Sequence, residues 1–341
     1  MRRLYRSFAP LLALAVVAAC SAPRASTGSP TASTAASGSA AASATPNFAG
    51  KSLNIVTGGT GGVYIVYGAG LADLLTKKMG VAASAQQTTA SVDNMKFIGQ
   101  GKADLAFVLA DTAFDGIQGK APQFTSKVDA KALAVLYYNY THLVVRADSG
   151  INSVADLKGK RVSMGSAGSG TEIIGNRTLE AYGLSADTDI QRQRLGVQDS
   201  ADNLRDNKID AFFWSGGLPT ASVLDLANSV PLKFLDLTDS VKKMSDKYGP
   251  FYTLSKIPAG VYKNTGDIPV SAVANLLVAP TSMDPALVKA ILQTMFDNQS
   301  TLATIHAEGK NLKLESAIVG SPLDFHPGAI DFYKSKGVWK Q

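Results

Sequence analysis

Two stretches built to the same plan limit what this 341-residue chain can fold into. "IVTGGTGGVY" (55–64) and "VSMGSAGSGTE" (162–172) each pass from a short apolar run, through clustered glycines, into a segment with helical spacing. Glycines at that density after a strand mark a backbone that something approaches closely. The surroundings repeat as well. "SLNIVTG" reads as a strand, Val63–Met79 as a helix, "VAASAQQT" as a strand, Ser91–Gln100 as a short helix and "ADLAFVL" as a strand. "KALAVLYYN" and "THLVVRA" follow as back-to-back strands. A second block then runs strand "RVSMG", helix Gly170–Tyr182, strand "IQRQRLG", helix Ser200–Asn207 and strand "AFFWSG". Helices alternating with β-rich runs build βαβ units and mainly parallel sheets, and two such blocks imply two doubly wound α/β lobes.

The tail completes the topology. Asp284-Pro285 is a helix start, a capping carboxylate before a proline at the first helical position. "ALVKAILQTMFDNQSTLATI" continues that helix at helical spacing. "YTLSKIPAGVY" and "SAVANLLVA" read as strands that carry the chain back to the first lobe. Lobe I is therefore expected at 50–142 and 273–341 and lobe II at 143–272, with hinge strands joining them beside a ligand cleft.

The N-terminus belongs to targeting rather than to the fold. Residues 1–20, "MRRLYRSFAPLLALAVVAAC", combine three arginines, an apolar run and small residues, the shape of a secretory signal too short for a stable membrane span. Cys20, the one cysteine, follows Val17-Ala18-Ala19 as in a bacterial lipobox, which implies lipidation and a membrane anchor. A buried cysteine in an ordinary signal is the alternative. Residues 21–49 open with "SAPRASTGSPTASTAASGSAAASATP", which lacks any apolar periodicity and reads as a flexible tether. Setting the three signal arginines aside leaves 30 basic residues against 27 acidic, with no basic cluster interleaved with aromatics, so nucleic-acid binding is not expected.

Enzyme signatures fail residue by residue. A dinucleotide fingerprint breaks at Tyr64, where its last glycine should stand. Gly165 and Gly170 have the spacing of a phosphate loop, but Thr171 and Glu172 occupy the Lys and Ser/Thr places, and a carboxylate there would repel a triphosphate. Neither stretch contains G-x-S-x-G, and His142, His306 and His326 sit in unrelated contexts, the last in a helix-start turn, "FHPG". No side chains show metal-ligand spacing. The expectation is a protein without catalytic residues, cofactor or metal. What remains is recognition by main chain: a glycine turn that opens a helix presents free N–H groups, which hold a carboxylate without any fixed positive charge. Two such turns, one on each lobe, face one another across a cleft.

At these residues the chain resembles the TAXI family, the TRAP-associated extracytoplasmic immunogenic solute receptors, from about Leu53 to Trp339. The likeness rests on "VTGGTGGVY", "QQTTASVDNMKFIGQGKADLAFV", "LADTAFDGIQG", "VSMGSAGSGTE", "DAFFWSGGLPT" and "HPGAIDFYKSKG" in that order. Val66 departs from it where a proline often stands, and Ala90 where a glycine is usual. The resemblance implies a periplasmic-binding-protein fold, type II-like, and a monomer. It also implies capture of a small organic acid or amino acid such as glutamate, glutamine, 2-oxoglutarate or a dicarboxylate, delivered to a TRAP membrane permease of fused subunits. A sensing receptor without transport, or a two-lobed extracytoplasmic transferase, is the alternative.

Carried over by position, the ligand candidates are Thr60, Gly61, Gly62 and Tyr64 in the first turn, then Thr89, Ser91 and Asn94, then Asp111. The second lobe contributes Ser166, Ser169, Gly170 and Thr171, with Trp214, Gly216 and Gly217 at its aromatic strand. Tyr64 and Trp214 are either cleft walls or core aromatics; Ser91 is a ligand contact or a helix cap. Asn94 contacts ligand or braces its turn. Asp111 either meets an α-amino group or caps the next helix.

Overall fold

The computed structural model describes residues 47–340; Cys20, the expected signal and residues 21–46 of the expected tether lie outside the described residues. The first block alternates β1 (Ser52–Val56), α1 (Val63–Met79), β2 (Ala82–Gln86), α2 (Ser91–Gly99), β3 (Leu105–Leu109) and α3 (Ala110–Gln118). A long strand, β4 (Ala130–Arg146), leads to β5 (Arg161–Ser163), α4 (Gly170–Ala181), β6 (Gln191–Gln193), α5 (Val197–Arg205) and β7 (Ala211–Gly216). Then come α6 (Ala221–Ser229), β8 (Leu232–Phe234), α7 (Thr238–Tyr248) and β9 (Thr253–Ile257). The second long strand, β10 (Ile268–Pro280), is followed by α8 (Pro285–Asp297), α9 (Gln299–Ile305) and α10 (Pro327–Ser335).

The strands form one ladder in the order β2-β1-β3-β10-β4-β7-β5-β6. Within each block the pairs β1–β2, β1–β3, β5–β6 and β5–β7 are parallel, as crossover helices require. Two antiparallel strands connect the blocks. β4 runs beside β10 from Ala130 to Tyr140, and beside β7 from Tyr140 to Val145. β10 pairs with β9 at its start (Ile268–Ala272) and with β3 further on (Asn275–Val278). The sheet thus has two halves that share only these long strands, and the lobe boundaries expected after residues 142 and 272 fall inside them.

"KALAVLYYN" and "THLVVRA" are therefore not two strands but one. The run holds no glycine or proline to interrupt it, and two shifts in its register against β10 pass without ending the strand. Its polar residues are paired sideways: Asn139 donates to the Ser215 carbonyl at 2.9 Å, and the Ser271 hydroxyl donates to Thr141 at 2.9 Å. Of the two returning segments only β10 crosses; β9 stays beside it in the second half. The helix expected after Pro285 is broken as well. Asn298 leaves helical geometry (φ −121°, ψ 28°) and turns its side-chain amide onto the Thr294 carbonyl at 2.8 Å, ending α8 before α9 begins.

Helices cover both faces of each half. Tyr67 and Leu71 of α1, Ile291 of α8 and Phe332 of α10 are buried on one face of the first half, and Val92, Met95 and Ala113 on the other. Phe48, within the expected tether, is also buried in this core. In the second half Leu179 lies on one face and Ala201, Leu204 and Val223 on the other. The two halves touch across their carboxyl ends. The Gly168 carbonyl, from the second glycine turn, accepts from the N–H groups of Val92 and Asp93 at 3.2 and 3.3 Å.

Candidate functional site

Four helices begin at one cavity. Gly62 precedes α1, Ala90 precedes α2, Ser169 precedes α4 and Gly196 precedes α5. Each of these residues, with the first helical residue after it, lines the same pocket. First-turn N–H groups have no partner inside their own helix, and each helix carries a partial positive charge at that end; in α2 the Val92 and Asp93 N–H groups are taken by the Gly168 carbonyl, which leaves that of Ser91. The helices are 17, 9, 12 and 9 residues long, enough for full first turns. No charged side chain is among the described residues that line the cavity. Its positive potential therefore comes from backbone alone. The space in which a water-sized sphere can be centred is about 40 Å³. A single water needs roughly 10–15 Å³ in that measure, so the site suits one small molecule.

Ten of the fifteen residues expected to contact ligand line this cavity: Gly62, Tyr64, Thr89, Ser91, Ser166, Ser169, Gly170, Thr171, Trp214 and Gly216. Tyr64 packs on Phe107 with centroids 5.4 Å apart, and its hydroxyl donates to Asn275. Trp214 donates its indole N–H to Thr220 at 2.8 Å and reaches the first turn, where a Cβ on Gly62 would stand 3.1 Å from its ring. Ser91 is the first residue of α2 rather than its cap, and its Oγ accepts from Leu109 N–H at 3.2 Å. Ser169 does cap α4, accepting from Glu172 N–H at 3.1 Å, and Thr171 Oγ1 accepts from Ser215 N–H at 3.2 Å.

Five expected contacts are placed elsewhere. Thr60 is exposed in the wider groove at the mouth, where Gln87 donates to it at 3.3 Å. Gly61 adopts φ +79° against α6, and a Cβ there would lie 2.0 Å from Ser222 Oγ. Asn94 braces the turn, its amide donating to the Thr57 and Phe107 carbonyls at 2.6 and 2.8 Å. Asp111 faces away from the cavity, into an ion cluster between α3 and α4: it accepts from the Tyr252 hydroxyl at 2.7 Å and pairs with Arg177 at 3.4 Å. Burial pushes the Asp111 carboxyl up, with Arg177 opposing. Asp111 sits inside α3, so it is not that helix's cap either. Gly217 lies against Glu308, which would be 2.6 Å from a Cβ there.

The structure adds lining residues that the sequence did not announce: Tyr137 and Asn139 on β4, Ser215 on β7, and the Gly196-Val197 start of α5. Asn139 was visible only as one polar residue in an apolar strand. It belongs to a relay in which Tyr64 donates to Asn275, Asn275 to Asn139, and Asn139 to the Ser215 carbonyl. The relay runs from α1 across both long strands to β7.

Two backbone and charge features carry their own tests. Ala90 has φ 101° and ψ −140°, a region that favours glycine, and such strain costs about 1–3 kcal/mol. Ala90→Gly should raise unfolding stability by about 1 kcal/mol in urea titrations, the relief of strain exceeding the added chain entropy. Glu308 is buried and accepts from Leu218 N–H and Asn311 without a cation; burial pushes its carboxyl above the usual 4.5. A carboxyl raised on folding contributes stability that is full below its unfolded value and is lost as pH rises through the raised one. Relative to the parent, Glu308→Gln should thus gain thermal stability as pH rises from 4.5 towards neutrality. A difference that does not change with pH would contradict this.

The histidines stay out of the site. His142 is fully buried beside Tyr262, its ring nitrogen 3.1 Å from the Tyr262 hydroxyl, and burial pushes it down to about 4. His326 caps α10, accepting from Gly328 N–H at 3.2 Å. Among the described residues no group of three or more His, Cys, Asp or Glu is placed to hold a metal ion, and no helix is long and apolar enough to cross a membrane.

The sequence model of the NMT1-like family matches residues 55–337. Among solved structures, the periplasmic aliphatic sulphonate binding protein SsuA of Escherichia coli is 18% identical, covering 85% of this chain and 75% of that one at a TM-score of 0.46. A binding protein component of an ABC phosphonate transporter from Pseudomonas aeruginosa is 11% identical, with 76% and 79% covered and a TM-score of 0.48. An ancestral arginine-binding protein bound to arginine is 15% identical, with 75% and 97% covered and a TM-score of 0.45.

Proposed function

The chain belongs to the NMT1-like family, and from that premise we propose that it is an extracytoplasmic solute-binding protein. It captures a small organic anion between two lobes and delivers it to a membrane transporter. One observation carries this reading: four helix N-termini meet at a cavity lined by no charged side chain. An anion there is held by oriented N–H groups and helix dipoles. The lining is made of glycines, hydroxyl-bearing and apolar side chains, one amide and one indole, a set suited to holding a small molecule.

The lobes are residues 50–142 with 273–341, and 143–272, hinged where β4 and β10 pass between them at the Tyr140–Ala272 pair. The Gly168 contact with α2 supports reading this arrangement as the closed one, which ligand bridging both glycine turns stabilises. Resemblance of the glycine turns to the TAXI family makes a TRAP permease the receiving transporter. The lipobox at Cys20 supplies a lipid anchor for the tethered domain.

Calorimetry and thermal shift with C4 and C5 dicarboxylates, 2-oxoglutarate, glutamate and glutamine test the binding reading. At least one acid should bind with a stoichiometry of one and raise the melting temperature. No heat and no shift with any of them would overturn it.

A further inference from the structure

Two residues that line this cavity carry buried hydroxyls without a partner among the described residues. Tyr137 is 2% exposed and Ser215 is 5% exposed; both line the cavity, and neither Tyr137 Oη nor Ser215 Oγ makes a hydrogen bond. Buried polar groups are nearly always paired, because an unpaired one has given up its bonds to water for nothing. Their neighbours are already committed. The Tyr64 hydroxyl spends its donor along the relay, the Asn275 and Asn139 amides each spend one of their two N–H groups and their carbonyl oxygen there, and the Ser215 carbonyl accepts from Asn139. The site therefore keeps two free neutral hydroxyls and no free carboxylate. The buried carboxyls of Asp111 and Glu308 lie outside the lining and are hydrogen-bonded elsewhere.

Resting on the anion reading above, we infer that Tyr137 and Ser215 recognise an uncharged oxygen-bearing group of the ligand, a hydroxyl or oxo group, and that the site discriminates against an α-ammonium. A neutral hydroxyl both donates and accepts, so it completes its valences on an oxo or hydroxyl oxygen. An ammonium needs a compensating charge once water is expelled. Without one, its burial is strongly disfavoured. The ligand class is thus a hydroxy or oxo acid rather than an amino acid.

Matched sets on one carbon skeleton test this: succinate, malate and aspartate, and glutarate, 2-oxoglutarate and glutamate, titrated calorimetrically into the full domain. In at least one set the hydroxy or oxo acid should bind at least tenfold more tightly than its amino counterpart and than the unsubstituted acid. Tyr137→Phe and Ser215→Ala should each remove most of the preference over the unsubstituted acid. Because each removes an unpaired buried group, each should also leave the ligand-free melting temperature equal or higher. Amino acids binding as tightly as their oxo counterparts would overturn the inference while leaving the anion site intact. The same holds if a variant weakens substituted and unsubstituted acids equally, or melts lower without ligand. Failure of all six acids to bind would remove the anion reading and this inference with it.

Discussion

Replacing Arg177 with methionine is expected to lower folding stability by about 3–5 kcal/mol, the usual effect of removing one partner from a buried ion pair. Arg177 leaves only 11% of its side chain exposed, and its partners Asp111 and Asp115 leave 0% and 6%. Its guanidinium also donates to the Tyr252 hydroxyl at 2.7 Å and lies 4.2 Å from the Tyr248 ring. Methionine fills much of that volume but leaves Asp111 without its cation, while Lys120 still reaches Asp115 at 3.3 Å. The pH dependence has a definite sign. Burial already holds the Asp111 carboxyl above its ordinary 3.8, and losing Arg177 raises it further. The deficit of the variant should therefore be largest near neutral pH and shrink as pH falls and Asp111 protonates. Asp111→Asn in the same background should recover part of the loss. Urea unfolding at several pH values measures all three effects. The cluster joins α3 of one half to α4 and α7 of the other, so the variant should also loosen their approach.

Ser166→Asp is expected to weaken capture of any bound acid by at least 100-fold, about 2.7 kcal/mol. Ser166 is half-buried at the cavity, on the glycine turn that leads into α4. Two like charges about 4 Å apart repel by about 4 kcal/mol at the effective dielectric of a protein surface, and partial exposure reduces that figure. Ser166→Asn is the control, nearly the same shape without the charge, and should bind within a few-fold of the parent. Equal affinities of the two variants in calorimetry would mean that the bound group is not anionic. Thr60, whose place in the first glycine turn marks it equally in the sequence, is less suitable because it stands at the exposed mouth.

The fold was largely readable because it is written in periodicity. The α1 boundaries, the strand–turn–helix units and the proline-started helices follow from apolar spacing and turn residues alone. Errors arose where one residue type serves two purposes. Asn139 and Thr141 look like a strand break, but in β4 they are buried and paired across the sheet. The helix expected from Ser200 begins earlier, at Val197 after an uncapped Gly196, and Ser200 inside it is hydrogen-bonded to Ser163 at 2.8 Å.

The site was half readable for a related reason. Glycine turns announce main-chain recognition, but not which glycine meets ligand and which merely lets the two halves touch. Gly61 and Gly168 do the latter, Gly61 against Ser222 and Gly168 beside Thr89 and Asp93. Asp111 carried the wrong message because its cation lies 66 residues away in sequence. Tyr137 and Ser215 gave no signal, since an aromatic and a serine within strands are ordinary core and edge residues until their hydroxyls are found unpaired.

On the proposed reading, helix N-termini in a cavity free of side-chain charge hold a small organic anion. Mass-spectrometric identification of the molecule released when the purified protein is denatured, followed by its titration into ligand-free protein, decides whether they do. The expected result is a single organic acid bound one to one, its affinity lost in Ser166→Asp and kept in Ser166→Asn. A cationic or uncharged molecule bound one to one, with affinity untouched by Ser166→Asp, would contradict it.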